Sequence, residues 1–274
     1  MKKFIKPGLY LILIVYAGFT LFPFLWAVSG AFKSYQEITS GSMSIIPNDP
    51  TLNAFVKLFK MDDLFLRWAF NSLWLCTLGT IINVLLNSMA GYSLARLRFK
   101  GSKAVFYMIL ATIMVPGQVL LIPNYLIVKN LGLINSYGAI LFPSAVNATY
   151  IFMMRQFFIN FPKEIEEAAE IDGLGRIGTF FRIAMPLAKV SISTQAVFIF
   201  LGFWNNFLQP KLYLQDPSKY TLTVGIQSMM SRYSGITQWD EVMAASVISL
   251  IPILIIYIVL NKHFMQGVRM DGEK

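Results

Sequence analysis

The sequence predicts an all-α membrane protein with six transmembrane helices and a helix–turn–helix loop outside the bilayer. Three observations carry that expectation. The chain is 56% hydrophobic and only 14% charged, where soluble domains average about a quarter charged. Six stretches lack Asp, Glu, Lys, Arg and His for long enough to cross a bilayer core, which takes about 20 mostly apolar residues. The basic residues fall unequally on alternate loops, as crossing segments require.

The six stretches cover residues 7–32, 68–95, 104–128, 130–154, 190–210 and 242–261. Within them the helices are expected near Leu9–Ala31, Trp68–Leu94, Ala104–Ile122, Tyr137–Met154, Val190–Leu208 and Val242–Leu260. Lys129 alone separates the third and fourth stretches. The segment Pro123–Ser136 around it also holds Asn124, Asn130, Gly132 and Asn135, which reads as a turn between two helices. Pro116-Gly117-Gln118 predicts a kink in the third helix. Lys2, Lys3 and Lys6 before an apolar run resemble a secretory signal, but the run is long for a signal core and five more spans follow, so an uncleaved first span is expected. Residues 1–274 are read as one transmembrane domain, with the loop 155–189 inside it.

With the N-terminus inside, the inner segments hold 15 basic residues and the outer segments 8, while acidic residues divide 7 and 7. The inner side carries +8 and the outer side +1, which accounts for the net charge of +9. Both termini are expected in the cytoplasm, and the positive charge is a topology signal that needs no nucleic-acid partner. Cys76 is the single cysteine and lies in an apolar run, so no internal disulfide can form.

No ionisable side chain of those five types lies in any predicted span. Intramembrane charges mark ion pathways, so their absence argues against a proton-coupled carrier; sodium coupling through backbone carbonyls stays open. The chain has no G-x-x-x-x-G-K-[ST] loop for nucleotide phosphates. An actively driven process therefore needs its hydrolytic engine on another chain.

In the second span, Cys76, Thr80, Asn83, Asn87 and Gly91 recur at helical spacing as one small and polar stripe. It reads two ways, as interhelical packing or as pathway lining. Asn147, Asn205, Asn206, Gln209, Ser246 and Ser249 raise the same alternatives. Trp204 offers a face on which an apolar ring, such as a sugar's, could stack, or else an interfacial anchor. The pathway candidates are Asn83, Asn87, Asn147, Trp204, Asn205 and Gln209.

The inner loop Arg155–Lys189 is the most distinctive segment. Pro162 suits a first helical turn, and Glu164, Glu166 and Glu167 favour the positive end of the helix dipole. Gly173 suits a left-handed stop. A second short helix is expected to reach about Met185 and to end at Pro186. A solvated surface hairpin and a docking element for another protein are both compatible with these residues.

The run Glu167-Ala168-Ala169, then Gly173, Ile183 and Pro186, resembles the EAA loop of ABC importer permeases. That pattern reads E-A-A, three residues, G, nine residues, I-x-L-P, and here Met185 replaces the usual Leu. Asn71-Ser72-Leu73, Ala90-Gly91-Tyr92-Ser93-Leu94-Ala95-Arg96, Pro116-Gly117-Gln118, Ile122-Pro123, Leu131-Gly132-Leu133 and Trp204-Asn205-Asn206-Phe207 are similar to the maltose-G-like carbohydrate permeases. The resemblance covers about residues 10–265. It implies a type I importer permease fold in a bacterial or archaeal cell membrane. It implies a second homologous permease, two cytoplasmic ATPase subunits and an extracellular solute-binding protein as partners, and a sugar as solute. Glu167, Ala168, Ala169, Asp172 and Gly173 would be the ATPase-coupling residues. ATP and Mg would sit on the partner subunits, with no cofactor or metal on this chain and no catalytic residue. The tail Gln266-Gly267-Val268 resembles tails that reach the ATPase interface. Rival readings are an ABC permease for a non-sugar solute such as glycerol phosphate, an ion-coupled carrier acting alone, and a scaffold without transport.

Overall fold

The computed structural model describes residues 2–41, 44–60, 64–230 and 237–271, with side chains described over 8–41, 44–60, 64–230 and 237–258. Among the described residues there is no strand. Fifteen α-helices follow in chain order: α1 Lys2–Ala31, α2 Tyr35–Thr39, α3 Asn53–Phe59, α4 Leu64–Arg96, α5 Ser102–Ile113, α6 Leu121–Asn130, α7 Gly138–Leu141, α8 Ala148–Ile159, α9 Lys163–Ile171, α10 Arg176–Thr179, α11 Met185–Leu187, α12 Lys189–Trp204, α13 Leu208–Tyr213, α14 Leu222–Met229 and α15 Trp239–Asp271.

Three unbroken helices are long and apolar enough to cross a membrane among the described residues: Gly8–Ala31, Leu64–Arg96 and Trp239–Ile258, with mean hydropathy 2.2, 1.6 and 2.2. They correspond to the first, second and sixth predicted spans. The third, fourth and fifth are each interrupted. The expected kink at Pro116 is a full break from Met114 to Leu120, and the turn expected at Pro123–Ser136 is mostly the helix α6. The chain turns instead after Asn130, where Gly132 (φ 68°) and Asn135 (φ 61°) take left-handed conformations. The fourth span breaks at Phe142–Asn147. Pro143 there has no N–H to give to a helix, and Asn147 restarts the backbone by accepting a bond from Thr149 N–H at 2.9 Å. The fifth ends at Trp204, and α13 resumes at Leu208.

The contacts divide the chain into two units. Unit one comprises Met1–Arg67 and Val224–Pro252. Here α1 and α15 approach so closely at Gly30 that any added Cβ would collide with the Met243 sulfur. Lys57 on α3 pairs with Asp240 at 3.2 Å, and Phe32 packs on Phe55 with ring centroids 5.3 Å apart. Lys33 donates to the Ser44 carbonyl and Ser29 to that of Ile45.

Unit two comprises Trp68–Thr223 and Ile253–Lys274. Its core joins Tyr92 of α4, Met154 and Phe158 of α8, and Phe180, Ala184 and Ala188. Gly91 lets α4 and α8 touch backbone to backbone: a Cβ there would lie 2.9 Å from Arg155 N and 2.7 Å from Met154 Cβ. At the other end of α4, Trp68 Nε1 donates to Pro217 O at 2.7 Å, Asn71 Nδ2 donates to Ser218 O and Tyr220 O, both at 3.0 Å, and Ser72 Oγ accepts from Leu222 N–H at 2.7 Å. These bonds satisfy the irregular backbone after α13, the accounting that every buried polar group demands.

Candidate translocation cavity and coupling hairpin

The three helix breaks of unit two converge. Gly117 and Leu120 from the first, Pro143, Ser144 and Asn147 from the second, and Asn206 from the third line one cavity of about 350 Å³, together with Asn83 of α4. Non-helical backbone at membrane depth is tolerated where it is buried in protein or lines a watery space. The wall is otherwise built from amides, the Tyr150 phenol and apolar groups, and no charged side chain contributes to it. Such a surface can hydrogen-bond and pack against a neutral polar solute, and its size falls within the range of small-ligand sites.

α4 supplies the fixtures for the second break. Asn83 Nδ2 donates to Ser144 O at 2.5 Å, and Asn147 N–H donates to Asn87 Oδ1 at 2.9 Å. Asn87 Nδ2 in turn donates to Asn83 Oδ1 at 3.3 Å. Of the six residues nominated from sequence, Asn83, Asn147 and Gln209 line the cavity, while Asn87, Trp204 and Asn205 do not. Asn87 is fully enclosed, and both ends of its amide are used within the protein. Trp204 is buried, stacks on Phe200 with centroids 5.8 Å apart and is not part of the cavity lining. Asn205 caps α12 and returns its amide to Leu201 O at 3.0 Å. The wall also gains Asn124, Tyr150 and Ser144, which sequence reasoning did not nominate, and Asn206, which it set beside them. Asn206 Nδ2 donates to Gln209 Oε1 at 2.8 Å, bridging the third break. Gln195, a single amide inside an apolar span with no local signal to mark it, is fully buried and donates to Ser88 Oγ on α4 at 2.8 Å.

The inner loop is a helical hairpin. Pro162 is the N-cap of α9, one residue ahead of its expected place, and Glu164 and Glu166 occupy the first turn. α9 stops in a paired motif: Gly173 N–H donates to Glu170 O at 3.0 Å and Leu174 N–H to Ala169 O at 2.9 Å. Gly173 has φ 79°, so it supplies the left-handed residue that this stop requires. The return arm runs through α10, a π-turn at Phe180–Ala184 and α11. Pro186 does not end it at Met185; the helix continues to Leu187 and then bends by 80° into α12. Pro186 has no N–H to bond back, and it directly follows the π-turn, which Met185 N–H closes on Phe180 O.

Glu167, Ala168 and Asp172 are exposed on the hairpin, whereas Ala169 is buried and packs inward. The small side chain of Ala169 therefore serves the closeness of the hairpin to its own chain. Ile171, one turn on from Glu167 and Ala168, and Ile177 on α10 are 85% and 75% exposed. Isolated exposed apolar residues are ordinary, but two aliphatic side chains left this open on a polar hairpin are suited to a protein partner. The side chains of Gln266-Gly267-Val268 lie outside the described residues, as does Arg232 of the outer charge count.

Residues 87–270 match the family described as binding-protein-dependent transport system inner membrane component. The arabinooligosaccharides transport system permease protein of Halalkalibacterium halodurans is 31% identical over 280 residues, covering 100% of both chains. The sn-glycerol-3-phosphate transport system permease protein of Escherichia coli is 32% identical, covering 96% of this chain and 95% of its own. A crystal structure of a bacterial ABC transporter involved in the import of the acidic polysaccharide alginate shares the fold with TM-score 0.86 at 24% identity, over 96% of this chain and 97% of that one. The chain is a member of the binding-protein-dependent inner-membrane transport components, the permease subunits of ABC importers.

Proposed function

We propose that this chain is half of the translocation pathway of an ATP-driven importer for a neutral sugar or oligosaccharide. A second, homologous permease completes the pathway, an extracellular binding protein delivers the solute, and two ATPase subunits dock on the cytoplasmic side, where both termini also lie. The observation that carries the reading is the charge-free, amide-rich cavity assembled from three helix breaks. A phosphorylated solute would call for Arg or Lys at the pathway, and this chain offers neither there. The ATPase would grip the hairpin through Glu167, Ala168, Ile171 and Ile177, with Asp172 and Gly173 fixing the turn that presents them. Nucleotide-driven closure then displaces the hairpin and tips the helices between inward- and outward-facing arrangements.

The test is uptake by proteoliposomes carrying the permease pair and its ATPase, with the binding protein outside. Neutral arabino-oligosaccharides and sn-glycerol 3-phosphate are offered in parallel. The expected result is ATP-dependent entry of the neutral sugar and exclusion of the phosphate ester. Entry without ATP, or preference for the ester, would overturn it.

A further inference from the structure

One ionic contact ties the hairpin to the helix that braces the cavity. Arg96 stands in the last turn of α4. Its Nη2 lies 2.6 Å from Glu166 Oε2, its Nε donates to the same oxygen at 2.8 Å, and its Nη1 donates to Phe161 O at 3.1 Å. One guanidinium thus holds both α9 and the residue leading into it. The contact is sheltered, with side-chain exposure of 8% for Arg96 and 21% for Glu166. A buried ion pair adds little net stability over apolar packing of similar volume, so its use here is better explained by the geometry that it fixes.

The geometry continues along α4. Asn87 and Asn83 lie nine and thirteen residues before Arg96, about 14 and 20 Å along a helix rising 1.5 Å per residue. Those two amides hold the backbone of the break between α7 and α8 at the cavity wall. Between them and Arg96, Gly91 presses α4 against α8. An unbroken helix therefore runs from the hairpin clamp to the cavity fixtures.

We infer that Arg96 and Glu166 are positioning residues that bolt the coupling hairpin to α4, so that hairpin displacement reaches the α7–α8 break through Asn87 and Asn83. The inference rests on the reading of the hairpin as the ATPase-driven element. It assigns the transmission to α4, in addition to the covalent connections from α9 back to α8 and from α11 on to α12. Neither residue touches solute or nucleotide.

The experiment uses the complete complex in proteoliposomes. Three quantities are read per assembled complex: basal ATP hydrolysis, its stimulation by solute-loaded binding protein, and solute moved per ATP. Arg96→Gln and Glu166→Gln are each expected to lower stimulation and solute per ATP by about tenfold, within the ordinary range of coupling between sites, with basal hydrolysis unchanged. The charge swap Arg96→Glu with Glu166→Arg is expected to restore most of the loss. Arg96→Lys keeps the charge but not the fork and should fall between, and it gives the same readout if Arg96→Gln does not assemble. Wild-type coupling in the assembled single variants overturns the inference. So does a defect confined to the amount of assembled complex, or a swap no better than the single changes. If the wild-type complex itself moves solute without ATP, the hairpin reading falls; if the wild type couples and Arg96→Gln couples equally, only the bolt falls.

Discussion

The cavity and the hairpin, both in unit two, are built on opposite principles. The cavity wall contains no charge, and its Asn83, with Asn87 behind it, holds broken backbone in place. The hairpin is acidic on α9, carries its charges outward except for Glu166, which turns in to Arg96, and leaves two isoleucines exposed. A wall that must release a neutral solute gains from weak, uncharged contacts. A joint that must hold a partner through a conformational cycle gains from charge and exposed apolar area together. The two regions should therefore fail differently: hairpin changes should break the coupling of ATP to transport, and cavity changes should alter solute affinity while coupling persists.

The largest effect is expected from Glu167→Arg. Placing a like charge against a basic partner costs several kcal/mol, so ATP-driven uptake should fall by about 100-fold while membrane insertion, read by fractionation, is unchanged. Wild-type uptake would place the ATPase elsewhere. Gly173→Leu should follow. Nothing crowds its Cβ, so the cost is the left-handed backbone alone, about 1–2 kcal/mol, and binding-protein-stimulated hydrolysis should drop by about tenfold. Asn206→Ala removes one amide from the cavity and its bond to Gln209. A net hydrogen bond contributes about 1 kcal/mol, so the half-saturating solute concentration should rise about fivefold with solute per ATP unchanged. A loss of coupling there would erase the distinction between the regions. Asn205→Ala, exposed and outside the cavity, should stay within about 0.5 kcal/mol of wild type in thermal stability and leave uptake unaltered.

The sequence made the uninterrupted spans legible because apolar length alone decides them, as in Gly8–Ala31 and Trp239–Ile258. The hairpin was legible because Pro162, the acidic first turn and Gly173 are local signals whose partners lie within a few residues. The breaks were not. Pro116 reads locally as a kink and Pro143 gives no stronger warning; at the Pro143 break the deciding partners are tertiary, since Asn83 and Asn87 from another helix satisfy the freed backbone. For the same reason Asn83 and Asn87 look alike in sequence, yet only Asn83 reaches the cavity wall. The inward turn of Ala169 and the burial of Trp204 also depend on neighbours distant in the chain.

The central claim is that force enters this chain at the exposed tip of the hairpin. A photo-crosslinking amino acid in place of Ile177, in the complete complex within a bilayer, tests it most directly. The account predicts a covalent adduct with the ATPase subunit. An adduct to lipid alone, or none, from a complex that still transports would contradict it.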